Sequence, residues 1–289
     1  MKTYLVSFAD IRFRAAQARL RRSALKYGIE QFIAYHPGDL RKTEFFKKNR
    51  KILEMQRGAG YWLWKPYIIL DVLSRVPNDT IVVYSDSGIE VTASLSPLIS
   101  ICQEGAGILL FNNCDYVCGH WTKRDCFMLM DCDRPAYWEV PHLLGSFLLL
   151  RKNRESIEFV QEWLRYCSDE RILTDLPNTL GKENLPGFVD HRHDQAVLSL
   201  LAARKGIEIF RDPTQWGNYL KDDAFRTPGE FVHREYSLEP CRKSAYGTLV
   251  NHHRIASRGP VVRTVLMLAE VRMKVAAFIN GSRKHSSLS

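Results

Sequence analysis

One α/β domain, with a mostly parallel sheet flanked by helices and a helical C-terminal extension, is predicted by three observations. Short runs of β-branched and aromatic residues alternate with longer segments of helical period. The first three segments, residues 3–9, 12–27 and 29–36, have the β-α-β order and spacing of a parallel crossover. The alternation continues to about residue 212, beyond which the pattern loosens. Residues 1–212 are therefore expected to form the main domain, and 213–289 an extension that ends in a basic helix.

TYLVSFA is a short buried strand. Residues 12–27 place apolar groups at helical spacing among arginines, and Gly28 stops the helix. IEQFIAYH is a second strand, closed by Pro37-Gly38-Asp39. After the basic stretch KKNRK, the segment RGAGYWLWKPYIILDVLSRV is an aromatic turn leading into a helix. Pro77-Asn78-Asp79 turns the chain into TIVVYSD, the most strand-like segment of all. A short helix over 97–102, the strand GILLFNN and a helix over 123–133 follow. HLLGSFLLLRK is a strand interrupted at Gly145, and 154–167 is a helix. A loop rich in Pro, Gly and Asn covers 176–189. HDQAVLSLLAARKG is an amphipathic helix ended by Gly206, IEIFRD is a last strand, and helical period returns over 261–279.

At 289 residues, 45% of them hydrophobic, the chain can bury a full core. Its formal charge of +9 suits phosphate-bearing small molecules, anionic lipid or nucleic acid. No arginine-rich arm or nucleic-acid motif supports the last, so no nucleic-acid partner is expected. The seven cysteines form no CxxC pair, and the start MKTYLVSFAD has too short an apolar stretch for a secretory leader. Both suit a cytoplasmic protein. No apolar run is long enough to span a bilayer. Cys114, Cys118 and His120 are either half of a zinc site or thiols buried beside a loop.

The chemistry concentrates at a few places. In VVYSDSG, residues 82–88, the strand ends in one carboxylate, Asp86, set among Tyr84, Ser85, Ser87 and Gly88. Ligands of open α/β sheets bind beyond the carboxyl ends of strands, and a carboxylate there suits Mg²⁺ or Mn²⁺ on a diphosphate. Gly88 would leave room for close approach of a sugar or phosphate, although a plain β-turn explains the same residues. Lys65 stands among Trp62, Trp64 and Tyr67, a cation to neutralise a leaving diphosphate beside rings to stack on a base or sugar. Pro66 in the first turn of a helix is the plainer explanation. HRHDQ, with His191, Arg192, His193, Asp194 and Gln195, carries more polar groups than a helix cap needs. In WTKRD, Arg124 and Asp125 either contact sugar hydroxyls or simply begin a helix. The basic and apolar groups mixed along 261–279 suit either an anionic membrane surface or packing on the domain.

The GYWLWKP segment before VVYSDSG resembles the GT-A glycosyltransferases, in which an acidic DXD signature follows a hydrophobic strand. It is most similar to small bacterial and viral sugar transferases with GYW-W-KP before a D-x-G turn. The resemblance covers about residues 1–212 and is strongest over 58–90 and 191–207. It implies a Rossmann-like GT-A fold and an enzyme that moves sugar from a nucleoside-diphosphate donor to a hydroxyl of a glycan or lipid-linked acceptor. Synthesis of surface polysaccharide or lipopolysaccharide at the cytoplasmic membrane face would be the setting. By the same resemblance Asp194 is the catalytic carboxylate, with His193 and Gln195 facing donor and acceptor. Gly145 and Ser146 line the sugar pocket, Phe8 and Ala9 cradle the base, and His252 or His253 joins Asp86 on a divalent cation. Gly88 stands where DXD has its second acid, which leaves metal-independent transfer open. A nucleotidyltransferase is the less fitting alternative, because FADIRFR lacks the glycines of a phosphate loop. A non-catalytic sugar- or nucleotide-binding module is the other.

Overall fold

The structure is a computed structural model that describes residues 2–217, 244 and 246–253, without the side chains of residues 114 and 115. The predicted helix over 261–279, and with it the membrane-facing surface, lies outside the described residues. Among the described residues no helix is long and apolar enough to cross a membrane.

The strands are β1 (Thr3–Phe8), β2 (Gln31–Tyr35), β3 (Ile81–Ser85), β4 (Ile89–Val91), β5 (Ile108–Val117), β6 (Pro141–Leu143), β7 (Phe147–Arg151), β8 (Ile209–Phe210) and β9 (Val250–His252). Seven of them form one sheet in the order β2-β1-β3-β7-β5-β6, with β8 on β5. β1 pairs in parallel with both β2 and β3, as the crossover spacing predicts. β7 runs antiparallel between β3 and β5, β6 runs antiparallel to β5, and β8 is parallel to β5. The predicted mixed α/β architecture is thus present, with β1, β2, β3, β5 and β8 pointing one way.

Helices cover both faces of the sheet. On β3, Val82 and Tyr84 join the core beneath helices Trp64–Arg75, Arg154–Cys167 and His193–Lys205. Ile81 and Val83 join the opposite core, with Leu20 and Ala24 of helix Arg14–Lys26 and Leu98 of helix Ser96–Glu104. This two-residue alternation is the strand period, and both faces are dry, which is why β3 reads as continuously apolar. Each fully buried Leu or Ile here stabilises by roughly 1.5–3 kcal/mol over leaving it exposed.

HLLGSFLLLRK is interrupted at Gly145 as expected, and the break over 144–146 makes it two strands, β6 and β7. Helix His193–Lys205 is buried along most of its length rather than amphipathic, because β6 and helix Arg154–Cys167 both pack on it. A second sheet, in which β4 pairs antiparallel with β9, has no counterpart in the sequence reading. β4 has three residues, and its partner is supplied from far along the chain.

Candidate active site

The reversed direction of β7 builds the site. Because β7 is antiparallel, its leading residues Gly145-Ser146 lie beside the carboxyl end of β3, and the Asp86 amide donates to the Ser146 carbonyl at 2.8 Å. Asp86 therefore stands at the sheet edge where α/β proteins bind ligands.

Lys65, in the first turn of helix Trp64–Arg75, reaches the same point from below. Its Nζ donates to the Gly145 carbonyl at 2.8 Å, lies 2.7 Å from Asp194 Oδ2 and 3.9 Å from Asp86 Oδ1. It also sits 5.3 Å from the centre of the Tyr84 ring. The Tyr84 hydroxyl donates to Asp86 Oδ1. Five residues singled out in the sequence, Lys65, Tyr84, Asp86, Gly145 and Asp194, thus form one polar cluster. Lys65 and Asp194 are sealed from solvent, whereas the Asp86 side chain is 32% exposed and forms the outer edge.

Burial penalises every charge in the cluster, and the shifts show which effect wins. It would lower the Lys65 ammonium, but Asp194 and Asp86 outweigh it and hold that ammonium above its usual range. Burial raises the Asp194 carboxyl to about 6 in spite of Lys65. Burial, then Asp86, keeps the Tyr84 phenol protonated and a donor. Two carboxylates share one ammonium, so the site is net negative once Asp194 ionises.

The surroundings are strained. Gly58, Ala59, Gly60, Tyr61 and Trp62 all have positive φ, a left-handed turn that costs roughly 1–2 kcal/mol at each non-glycine residue. Gly60 is required, since a Cβ there would meet Leu53 Cα at 2.6 Å. The turn lays Trp62 over the His193 ring, with centroids 5.4 Å apart, and sets Tyr61 edge-on to it at 4.9 Å. His193, at the start of the helix that bears Asp194, has φ 51° itself. Its Nδ1 is 2.9 Å from the Leu173 carbonyl, and burial lowers its pKa, so the ring is neutral. Arg57 pairs with Asp175 at 2.7 Å and Asp190 at 2.9 Å, tying this turn to the loop before the helix. Strain of this kind persists where surrounding contacts over-determine it, as at binding sites. Tyr61 was missed because only Trp62 of the GYW segment was singled out, and a left-handed turn leaves no clear mark at non-glycine positions.

Other expected residues stand as follows. Gln195 donates to the Leu143 carbonyl at 2.5 Å and packs against Gly145, where a Cβ would come within 3.1 Å of it. The Ser146 hydroxyl is buried beside Asp86 without a partner, and Ser85 Oγ donates to the Asp86 carbonyl at 3.2 Å. Ser87 is buried in the turn that follows Asp86. Phe8 stacks on Trp64 at 4.1 Å and Ala9 is buried beside it, so the end of β1 belongs to the core as much as to a base site.

At four positions the side chain or backbone meets partners that the sequence reading did not anticipate. Lys65 is not caged by its sequence neighbours, since Trp64 stacks on Phe8 and Tyr67 on Phe45. Its nearest partners are instead the two acids and the Gly145 carbonyl, contributed by distant segments of the chain. Gly88 makes room for backbone, not ligand: the His253 amide donates to its carbonyl at 2.7 Å, and a Cβ would sit 2.8 Å from the His253 oxygen. Arg124 is spent on Asp133, at 2.8 Å. Asp125 is fully buried and accepts from the Thr179 amide, the Thr179 hydroxyl and the Leu180 amide, so it anchors the 176–184 loop instead of meeting sugar.

The β4–β9 sheet carries His252 to Ile89 and His253 to Gly88, next to the turn that bears Asp86. His253 Nε2 lies 3.5 Å from Glu90. Among the described residues no three acids, histidines or cysteines converge on one point. Asp86, exposed at its outer edge, is the carboxylate of this cluster open to a cation. Cys118 is buried in the core with its thiol raised by burial, and the side chain of Cys114 lies outside the described residues.

No protein-family model matches the chain, and no curated protein does. Solved structures do. Mouse xyloside xylosyltransferase 1, in its apo form, is 11% identical with a TM-score of 0.47, over 90% of this chain and 100% of that one. The galactosyltransferase LgtC, in complex with donor and acceptor sugar analogs, is 13% identical with a TM-score of 0.47, over 87% of each chain. The apo glycosyltransferase GlyE of Streptococcus pneumoniae is 16% identical with a TM-score of 0.41, over 87% of this chain and 54% of that one. By their descriptions all three are sugar transferases.

Proposed function

We propose that the protein is a glycosyltransferase of GT-A type that takes a sugar from a nucleoside-diphosphate donor to an acceptor hydroxyl. The observation that carries this reading is the junction of Asp86, Lys65 and Asp194 at the carboxyl edge of the sheet. Asp86 is the group exposed toward a donor. Asp194 is held within hydrogen-bond reach of an ammonium, with a carboxyl raised to about 6, the range in which it exchanges a proton near neutral pH.

In the reaction the acceptor oxygen attacks the anomeric carbon and the nucleoside diphosphate departs. Asp194 takes the hydroxyl proton if the outcome is inversion, or stabilises the positive carbon if it is retention. Lys65 and the Tyr84 hydroxyl keep Asp194 and Asp86 in place, so neither needs to reorganise as charge moves. Asp86, with His252 from β9, would hold Mg²⁺ or Mn²⁺ together with donor phosphate oxygens. That ion would supply charge neutralisation at the leaving group. Trp62 and Tyr61 offer rings on which a sugar can stack. A glycan or lipid-linked acceptor, surface-polysaccharide or lipopolysaccharide synthesis, and a position at the cytoplasmic membrane face complete the reading.

A melting-shift screen of UDP, GDP, CDP and dTDP, with and without Mn²⁺, tests it, because a ligand that binds only the folded state raises stability. One nucleotide should raise the melting temperature with Mn²⁺, and Asp86→Ala should abolish the shift. A shift without Mn²⁺ removes the metal from the proposal. No shift with any nucleotide favours the binding-module reading, which the absence of a second acid at Gly88 supports. Donor hydrolysis without acceptor would count against that module.

A further inference from the structure

We infer that Arg192, packed on the Trp121 and Tyr116 rings beside buried His142, forms a subsite for an anionic group, carboxylate or phosphate, on the acceptor. The inference rests on the transfer reading above for the word acceptor, but not for the anion.

Arg192 stands at the N-cap of helix His193–Lys205 and makes no side-chain capping bond. Its backbone is fixed there, since its amide donates to the Trp121 carbonyl at 3.0 Å and its carbonyl accepts from the Gln195 amide at 3.0 Å. A helix N-terminus favours negative charge, so a cation at this point has the wrong sign. No carboxylate among the described residues pairs with it. Instead its guanidinium carbon lies 4.3 Å from the centre of the Trp121 ring and 5.7 Å from that of Tyr116. Those rings are 4.7 Å apart and tilted by 46°. Stacking of this kind holds the guanidinium plane and leaves its hydrogen-bonding edge for a planar or tetrahedral anion. Its Nε is buried without an acceptor.

His142 of β6 gives the second, independent sign. It is fully buried, and neither ring nitrogen has a partner in hydrogen-bond geometry, although the Leu143 backbone lies close. Burial, then the charge of Arg192, pushes the ring down to about 3, so it is neutral and offers one donor and one acceptor. Two ring nitrogens without a partner in hydrogen-bond geometry, close enough for the charge of Arg192 to act on them, and a guanidinium that no carboxylate among the described residues pairs, form an arrangement that an anion would complete.

The position suits an acceptor. Arg192 is two residues from Asp194, which limits their Cα separation to about 7.6 Å. His142 is three residues before Gly145, whose carbonyl holds Lys65. Side chains two apart do not face each other, so a sugar anchored by an acidic group at Arg192 would have to reach round the start of the helix to present a hydroxyl to Asp194.

Calorimetric titration of the full chain with methyl β-D-glucuronide, glucose 6-phosphate, methyl β-D-glucoside and inorganic phosphate tests this. The two acidic sugars should bind about tenfold or more tightly than the neutral glucoside, as charge-assisted bonds require, and R192Q should erase the difference. Equal binding of all three sugars, no binding of any, or an unchanged preference in R192Q overturns the subsite. Inorganic phosphate that competes as well as glucose 6-phosphate assigns it to a free ion and overturns the acceptor role. If R192Q does not fold, R192K decides, because it keeps the charge and loses the fork. It should bind the glucuronide more weakly, and full retention of the preference overturns the proposal. The nucleotide screen fails or succeeds independently, so the loss of one reading is visible without the other.

Discussion

Lys65 Nζ and Asp194 Oδ2 lie 2.7 Å apart at the junction of two helices that start far apart in the chain, and neither residue is more than 3% exposed. Breaking a buried pair by removing one partner leaves a bare charge in a dry site, at a cost of about 3–5 kcal/mol. Lys65→Met should therefore lower stability by about that amount in urea denaturation and abolish transfer. A loss below about 1 kcal/mol would mean that the pair is solvated like a surface bridge.

The raised carboxyl of Asp194 sets a pH dependence. Whether it takes a proton or stabilises a positive carbon it must be ionised, so kcat/KM should climb about tenfold per pH unit below about 6 and level above it. Stability moves the other way. The folded value of about 6 exceeds the ordinary 3.8, so between about pH 4 and 6 the unfolded chain loses its proton first. This group's contribution is complete below about pH 4 and declines as pH rises through 6. Asp194→Asn should flatten both profiles in that window, read by initial rates and by melting temperature.

Gly88 is pressed against His253. A methyl group 2.8 Å from the His253 oxygen forces β4 and β9 apart, at about 1–3 kcal/mol. In Gly88→Ala the amides of Val250–His252 should exchange faster in hydrogen–deuterium measurements while β1 and β3 stay protected. If His252 serves the donor ion, the Mn²⁺-dependent nucleotide shift should weaken in parallel.

Asp125 separates an anchoring role from sugar binding. Asp125→Ala leaves the Thr179 and Leu180 amides without their acceptor, which costs about 1–3 kcal/mol. Exchange should quicken at those amides, with nucleotide binding unchanged. Lost sugar or nucleotide affinity with normal protection at 179–180 would restore the contact role expected from WTKRD.

Much of the architecture was legible because local chemistry and tertiary demand agree. β3 is apolar on both faces, Gly28 and Gly206 close the helices before them, and the β-α-β spacing of the first three segments admits only a parallel crossover. What misled was local proximity. Trp62, Trp64 and Tyr67 surround Lys65 in sequence, yet a helical turn sends successive side chains in different directions, and the ring near its ammonium is Tyr84, from a strand.

The sequence by itself determined the alternation of elements, the acid at the end of β3, and the polar opening of helix His193–Lys205, since each depends on residue type and short-range period. Only the tertiary structure decided what those residues meet. The antiparallel entry of β7 put Gly145 under Lys65, β9 filled the space beside Gly88, and the loop from 176 to 184 consumed Asp125. Each is a contact between distant segments, settled by which buried polar groups find partners when the sheet and its helices close, and no local period encodes that.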